Sequence, residues 1–285
     1  MGYLMKLIKG PGSPKLSERL IERNDLDYVE VTSKIFPDGE IYVKLSESVN
    51  NEDCYLVQTT YPNRRLIELF FIQDALIGNG AKSVNVIIPY YSYARQDQKF
   101  ELGEGISSRA IAKRLQIQTE SFYSVDLHSE KIIDFFDIEA ENYTAMRLLG
   151  VHSELYEPDL LISPDEGGKD RVKMAADEIG IGWDYLEKKR LDGETVEIRP
   201  KNIKAEGKKV IILDDIISTG GTMREAAKQL LEQGADQVHA GCTHGLFVDD
   251  AFGKLDDICD SVFCTDTIEN IGCEVTIAPL FDELF

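Results

Sequence analysis

One stretch limits what this chain can fold into more than any other: Val210 to Met223, VIILDDIISTGGTM. Val210 to Leu213 is an apolar run of strand length, suited to burial in a sheet. Asp214 and Asp215 stand at its end. Ser218, Thr219, Gly220, Gly221 and Thr222 follow as a loop of small side chains. From Met223 to Gly234 the spacing is helical, with Ala226, Ala227, Leu230 and Leu231 on one side and Gly234 as the stop. Side chains no larger than Thr leave a run of backbone N–H groups open toward one point. The helix behind them adds the positive end of its dipole, so a phosphate monoester binds there readily. The two carboxylates cannot serve that phosphate. They can accept hydrogen bonds from vicinal sugar hydroxyls or meet a hydroxyl-bound Mg²⁺. The pattern therefore points to a sugar phosphate. An ordinary strand–turn–helix explains the glycines, but not two carboxylates followed by five such residues.

The rest of the chain supplies more strands and helices in alternation. Strands are expected at Leu26–Lys34, Ile41–Leu45, Cys54–Thr59, Val84–Pro89 and Ser121–Val125, then at Leu160–Ile162, Gly182–Leu186, Gln237–Cys242, Ser261–Cys264 and Glu274–Ile277. Helical spacing opens at Pro62-Asn63 and runs to Leu76, and recurs at Ile106–Leu115, Ile132–Phe136 and after Ser163. Strands alternating with helices imply an α/β protein with parallel sheets. The pattern is delivered twice, with a seam near Ala140 to Gly150. Glu187 to Asp192 reads as a charged loop.

Lys plus Arg is 31 and Asp plus Glu is 51, a net charge of −20. A general nucleic-acid surface would be basic, so nucleic acid is not an expected partner. Small anions need only a local cluster, for which Arg64, Arg65, Arg95, Lys99, Lys169 and Arg171 are available. No run of about 18 apolar residues exists, and the start MGYLMKLIKGPGSPK has too short an apolar core for a signal peptide. Five cysteines, an odd count with no C-x-x-C spacing, suit buried free thiols in a cytoplasmic protein better than disulfides or a zinc site. No G-x-x-x-x-G-K-[ST] segment is present, which excludes an ordinary P-loop kinase.

Four other segments carry chemistry. Tyr90 to Lys99 follows a buried strand, where ligands of open parallel sheets bind. There Arg95 can pair with phosphate and Gln96 can read a base edge, although these residues alone suit a solvated loop. Asp126-Leu127-His128 ends a strand, and a lone His is more often structural than a ligand. In Ser163 to Arg171 the glycines allow close approach of backbone to phosphate oxygens. Glu187 to Arg190 by itself is a solvated hairpin tip.

VIILDDIISTGGT resembles the phosphoribosyl-pyrophosphate loop of type I phosphoribosyltransferases and of ribose-phosphate pyrophosphokinases. FPDGE (36–40), YSYARQDQK (91–99), DLH (126–128), SPDEGGKDR (163–171) and KKR (188–190), in that order, are similar to the pyrophosphokinase family's segments. The YSYARQDQK segment is one that ordinary phosphoribosyltransferases lack. Two positions depart from the family: Glu166, where many members have His, and Ser218, where the commonest bacterial pattern has Asp.

The resemblance implies two similar α/β domains of the type I phosphoribosyltransferase kind, each a mainly parallel sheet flanked by helices, at residues 1–143 and 144–285, with the site at their junction. It implies transfer of the pyrophosphoryl group of ATP to ribose 5-phosphate, giving AMP and 5-phosphoribosyl 1-pyrophosphate, with Mg²⁺ as cofactor. Phe36, Asp38, Glu40, Arg95, Gln96, Asp97 and His128 would bind ATP. Asp214, Asp215, Ser218, Thr219, Gly220, Gly221 and Thr222 would bind ribose 5-phosphate. His128 and Asp165 would meet the metal, and Lys188 and Arg190 would be catalytic. A homo-oligomer built from dimers is implied as well. A phosphoribosyltransferase and a non-catalytic, synthase-associated protein are the other two readings. The ATP segments speak against the first, and the intact Lys188-x-Arg190 and Asp214-Asp215 pairs speak against the second.

Overall fold

A computed structural model describes residues 5–190, 196–199 and 203–285, with residues 188–190 and 196–199 described as backbone alone. The chain divides into two compact units. The first is Met1–Thr144 with Thr267–Glu269 and Ala278–Phe285, and the second is Ala145–Asp266 with Asn270–Ile277.

The first unit runs β1 (Met5–Lys9), α1 (Pro14–Asn24), β2 (Tyr28–Ile35), β3 (Ile41–Leu45), β4 (Asp53–Val57), α2 (Asn63–Gly78), β5 (Ser83–Ile88), α3 (Ser107–Leu115), β6 (Ser121–Val125) and β7 (Glu139–Tyr143). The strands form one sheet in the order β3-β2-β1-β4-β5-β6-β7. All pairings are parallel except β2 with β3, which make an antiparallel hairpin at one edge. β5 and β6 are buried along their whole length, as central parallel strands covered on both faces must be. Leu69, Ile72 and Leu76 of α2 repeat at helical spacing and pack with Leu56, Val86 and Phe122 of the sheet. The last residues are fixed to this unit: Arg23 grips the Asp282 carboxylate through Nε (2.5 Å) and Nη2 (2.6 Å), and Phe285 stands edge-on to Tyr55.

The second unit runs α4 (Met146–Ser153), β8 (Leu160–Ser163), α5 (Lys169–Ile179), β9 (Gly182–Tyr185), β10 (Glu187–Arg190), β11 (Val196–Arg199), β12 (Lys209–Ile217), α6 (Gly221–Glu232), β13 (Gln237–Gly245), α7 (Ala251–Asp256), β14 (Ser261–Thr265) and β15 (Cys273–Val275). Six strands form a parallel sheet, β15-β14-β13-β12-β8-β9, while β10 and β11 pair with each other, antiparallel. Met223, Ala226, Ala227 and Leu230 turn α6 onto Val210, Ile212, Val238 and Ala240.

The expected fold class is the one observed: two mainly parallel sheets flanked by helices. Two local expectations are corrected. Ile132–Phe136 is no α-helix but the end of a 3₁₀ stretch, Glu130–Phe135, whose Ile132 and following Phe136 are buried in the core. Glu187–Arg190 is a strand rather than a loop, because its backbone pairs with Val196–Arg199 without any apolar face to announce it. β1, α1, β7, α4, β11 and α7 are additional to the strands and helices expected from sequence.

Candidate active site

In the second unit β12 does not stop before the aspartates. Its ladder with β13 continues through Asp214↔Cys242 to Ile216↔His244 and Ile217↔Gly245. β13 is equally long, so both carboxylates are held on a paired strand rather than on a loop. The loop proper is then only Ser218, Thr219 and Gly220. Gly220, at φ 71°, is the N-cap of α6 and has no side chain to cap with. Gly221 and Thr222 are thus in the first turn of the helix, not in the loop. Among the described residues no protein acceptor engages the N–H groups of Thr219 to Met223. The first helical bond is Arg224 N–H to the Gly220 carbonyl. These donors, with the helix dipole behind them, make an anion site.

The aspartates differ in their surroundings. The Asp215 carboxylate is buried and lies 3.4 Å from the Arg171 guanidinium of α5. Asp214 accepts the Asp215 N–H at 2.9 Å. Burial first, then the neighbouring Asp215 and Asp165 charges, hold the Asp214 carboxyl well above the usual carboxylate range. A carboxyl raised in the folded state stabilises the fold at low pH, and that contribution is lost as pH rises through the folded value. Asp214→Asn, which cannot ionise, should therefore melt higher than the parent at neutral pH, on the order of 2–4 °C for about 1 kcal/mol. The difference should close as pH falls from that raised value to the ordinary carboxylate range. A gap that is independent of pH in thermal melts would remove the charge from the explanation.

Beside β12, the turn after β8 is organised by Asp165. Its Oδ1 accepts from Gly167 N–H (2.9 Å) and Gly168 N–H (3.3 Å), so the glycine amides expected to face phosphate already bind an anionic oxygen. The Ser163 hydroxyl donates to the Asp165 carbonyl at 2.7 Å. Glu166 is exposed and pairs with Lys169 at 3.2 Å. Asp165, Glu166, Gly167 and Glu187 line a cavity of about 470 Å³. Glu187 was not among the expected residues, and nothing in its sequence surroundings marks it. It is the first residue of β10, and the side chains of Lys188 and Arg190 that follow lie outside the described ones. Three carboxylates on one cavity are hard oxygen donors of the kind Mg²⁺ takes, one or two from protein and the rest from phosphate and water. Among the described residues no group of three or more His, Cys, Asp or Glu is placed to hold a metal unaided.

In the first unit the loop after β5 is anchored, not free. Tyr90, Tyr91 and Ala94 are buried, and Tyr93, at φ 65°, donates its hydroxyl to Asn63 at 2.7 Å. The Ser107 hydroxyl donates to Gln96 Oε1, and Ser108 Oγ to the Gln96 carbonyl at 2.8 Å, fastening the loop to the start of α3. Arg95 is exposed, and Gln96 and Asp97 are half-buried. His128 is exposed three residues past β6, the parallel neighbour of β5. The Arg95 and His128 loops therefore leave the same edge of the sheet side by side. Phe36, Asp38 and Glu40 stand at the same end of the sheet but farther along it. They form the exposed tip of the β2–β3 hairpin, three strand spacings from β5, roughly 14 Å. Asp38 accepts the Glu40 N–H at 3.0 Å, and the Phe36 ring stands edge-on to Tyr42. Of the six basic residues singled out in the sequence, Arg65, Lys169 and Arg171 are engaged by Glu68, Glu166 and Asp215.

Residues 5–118 match the model of the N-terminal domain of ribose phosphate pyrophosphokinase, and residues 135–277 match that of the phosphoribosyl transferase domain. The chain is 37% identical to the ribose-phosphate pyrophosphokinase of Methanosarcina mazei, over 99% of this chain and 95% of that one. It is 38% identical to that of Methanopyrus kandleri, over 93% of each. The crystal structure of phosphoribosylpyrophosphate synthetase from Mycobacterium smegmatis superimposes with a TM-score of 0.85 at 31% identity, covering 98% of this chain and 96% of that one.

Proposed function

The chain belongs to the ribose-phosphate pyrophosphokinase family, and from that membership we propose how its residues divide the reaction. The enzyme transfers the pyrophosphoryl group of ATP to the 1-hydroxyl of ribose 5-phosphate. The hydroxyl oxygen forms the new bond to the β-phosphorus, the bond from that phosphorus to the α-phosphate oxygen breaks, and AMP leaves. The protein's part in such a transfer is mostly to position groups and to neutralise charge.

The open amides at the start of α6, directly after Asp214-Asp215, carry the assignment of the sugar site. Ser218, Thr219, Gly220, Gly221 and Thr222 hold the 5-phosphate, and Asp214 and Asp215 accept from the ribose hydroxyls. Arg171, already against Asp215, orients that carboxylate. Arg95, Gln96 and Asp97 bind ATP, with Phe36 as a stacking face for adenine and Asp38 and Glu40 as acceptors for its amino group. Asp165 and His128 hold the Mg²⁺ that travels with the triphosphate, directly or through water. That ion, when bound, neutralises phosphate charge. Lys188 and Arg190 stabilise the charge that develops on the transferring group. In this reading residues 1–143 carry the ATP segments, and residues 144–285 carry the sugar loop and the catalytic pair. Exposed Ile35, Phe36 and Tyr42 at an edge hairpin support a homo-oligomer built from dimers. No helix among the described residues is long and apolar enough to cross a membrane. Free thiols throughout support a cytoplasmic enzyme.

AMP should form only when ATP, ribose 5-phosphate and a divalent metal are all present, as followed by nucleotide chromatography. ADP as the product would mean transfer of a single phosphoryl group, and would overturn the assignment.

A further inference from the structure

The sheet of the second unit ends in two cysteines that face each other. Cys264 of β14 and Cys273 of β15 are register partners on adjacent parallel strands, with Sγ atoms 3.9 Å apart. Adjacent strands hold Cα atoms at a separation that a disulfide spans, and closing the pair needs each sulfur to move by about 1 Å. Cys264 is buried and Cys273 is partly exposed, so an outside reagent has one sulfur to reach.

Both sulfurs sit in a small network that ends at the sugar-phosphate loop. Cys264 Sγ donates to Asn270 Oδ1 at 3.4 Å, and the Asn270 N–H donates to Cys273 Sγ at 3.3 Å. Asn270 Nδ2 in turn donates to the Gly245 carbonyl at 2.7 Å. Gly245 lies so close to this network that a Cβ there would be 2.8 Å from Cys264 Sγ. It is the register partner of Ile217, and the next residues carry the contact on: Leu246 N–H donates to the Ile217 carbonyl (2.9 Å), and Val248 N–H to the Ser218 carbonyl (3.0 Å). The thiols thus lie three hydrogen bonds from Ser218.

We propose that Cys264 and Cys273 are a reversible oxidation site, closed to a disulfide by low-molecular-weight disulfides, and that closure weakens ribose 5-phosphate binding. The second half rests on the assignment of Ser218–Thr222 to the 5-phosphate. The Cys273 thiolate attacks one sulfur of RS–SR, forming a mixed disulfide and releasing RSH. Cys264, on losing its proton, attacks the Cys273 sulfur and releases the second RSH. Two protein thiols are oxidised to one disulfide, and RS–SR is reduced to two RSH. The neighbouring Cys273 sulfur and burial hold the Cys264 thiol up, which fits it to the second step rather than the first. On closure Asn270 Oδ1 loses the Cys264 S–H donor and keeps the Gly272 N–H at 2.8 Å, so its hold on Gly245 is loosened from one side.

The test uses the full-length reduced protein treated with glutathione disulfide, alkylated and mapped by mass spectrometry, with rates measured before and after. The expected result is a peptide pair joined through Cys264 and Cys273. The KM for ribose 5-phosphate should rise about tenfold, the scale of one lost hydrogen bond, at unchanged KM for ATP, and be restored by dithiothreitol. Cys273→Ala, at a partly exposed position, should form no such link and keep its KM through the treatment. A glutathione adduct on Cys273 without closure, or a link from Cys264 to Cys242, would overturn the site. Closure with an unchanged ribose 5-phosphate KM would overturn its coupling to the loop. Mapping needs no turnover, so a reduced enzyme that made no AMP would sink the assigned reaction while leaving the cysteine pair to be judged separately.

Discussion

The double variant Lys188→Ala, Arg190→Ala should lose more than about 10²–10³-fold in kcat, the loss expected for one preorganised charge donor, and less than the product of two such losses because both act on one group. The two residues stand at positions 188 and 190 of β10, a spacing that matches the two-residue period of a strand. β10 starts at Glu187 on the carboxylate-lined cavity, which ties the beginning of this strand pair to the Asp165 turn after β8. Among the described residues its partner β11 pairs with no other strand, so the two are held by their own ladder and not by the six-stranded sheet. Such an element suits closure over a bound nucleotide. Cations that meet the phosphates mainly in the transition state lower kcat when removed and leave KM nearly unchanged. Rates at saturating ATP and ribose 5-phosphate decide the matter, with thermal melts to check folding. A kcat within about threefold of the parent returns the pair to a solvated hairpin, since 1.36 kcal/mol is already tenfold.

Asp214→Ala with Asp215→Ala should raise the KM for ribose 5-phosphate by about tenfold or more per carboxylate and leave ATP binding nearly unchanged. Hydrogen bonds to charged groups are worth roughly 1.5–3 kcal/mol each, and the ribose hydroxyls would lose both acceptors. The two single variants should differ. Removing Asp214 takes away a carboxylate whose burial and neighbours oppose its charge. Removing Asp215 leaves Arg171 without the carboxylate it faces at 3.4 Å. Asp215→Ala should therefore cost stability as well as affinity, whereas Asp214→Ala should cost affinity alone. Calorimetry with ribose 5-phosphate separates the two, and unchanged sugar binding in the double variant would remove both residues from the site.

The fold class and most central strands were legible in sequence because strands covered on both faces must be apolar throughout. Val84–Pro89 and Val210–Leu213 carry that signal without help from their surroundings. The candidate loop before α6 stood out for a related reason: small side chains, carboxylates and a following helix are local properties, and backbone amides close in sequence are what a phosphate would read. The less visible elements were those whose stability comes from partners far along the chain. β7 is an edge strand held by Phe122↔Ala140 and its neighbours, and its own sequence, EAENY, has no apolar face. β10 depends on β11 in the same way.

Sequence by itself thus determined two α/β units, the order of the motifs and the small residues of the segment Ser218 to Thr222. The tertiary structure decided that β12 carries its aspartates on a paired strand, that among the described residues Arg171 faces Asp215 and no cation is paired with Asp214, and that Asp165 occupies the glycine amides. It also decided that residues 278–285 return to the first unit through Arg23 and Asp282. Each of these is a contact between residues distant in the chain or a competition for one hydrogen-bond donor. Neither leaves a trace in local composition, because spacing along the backbone fixes only what lies within a turn or a strand of itself.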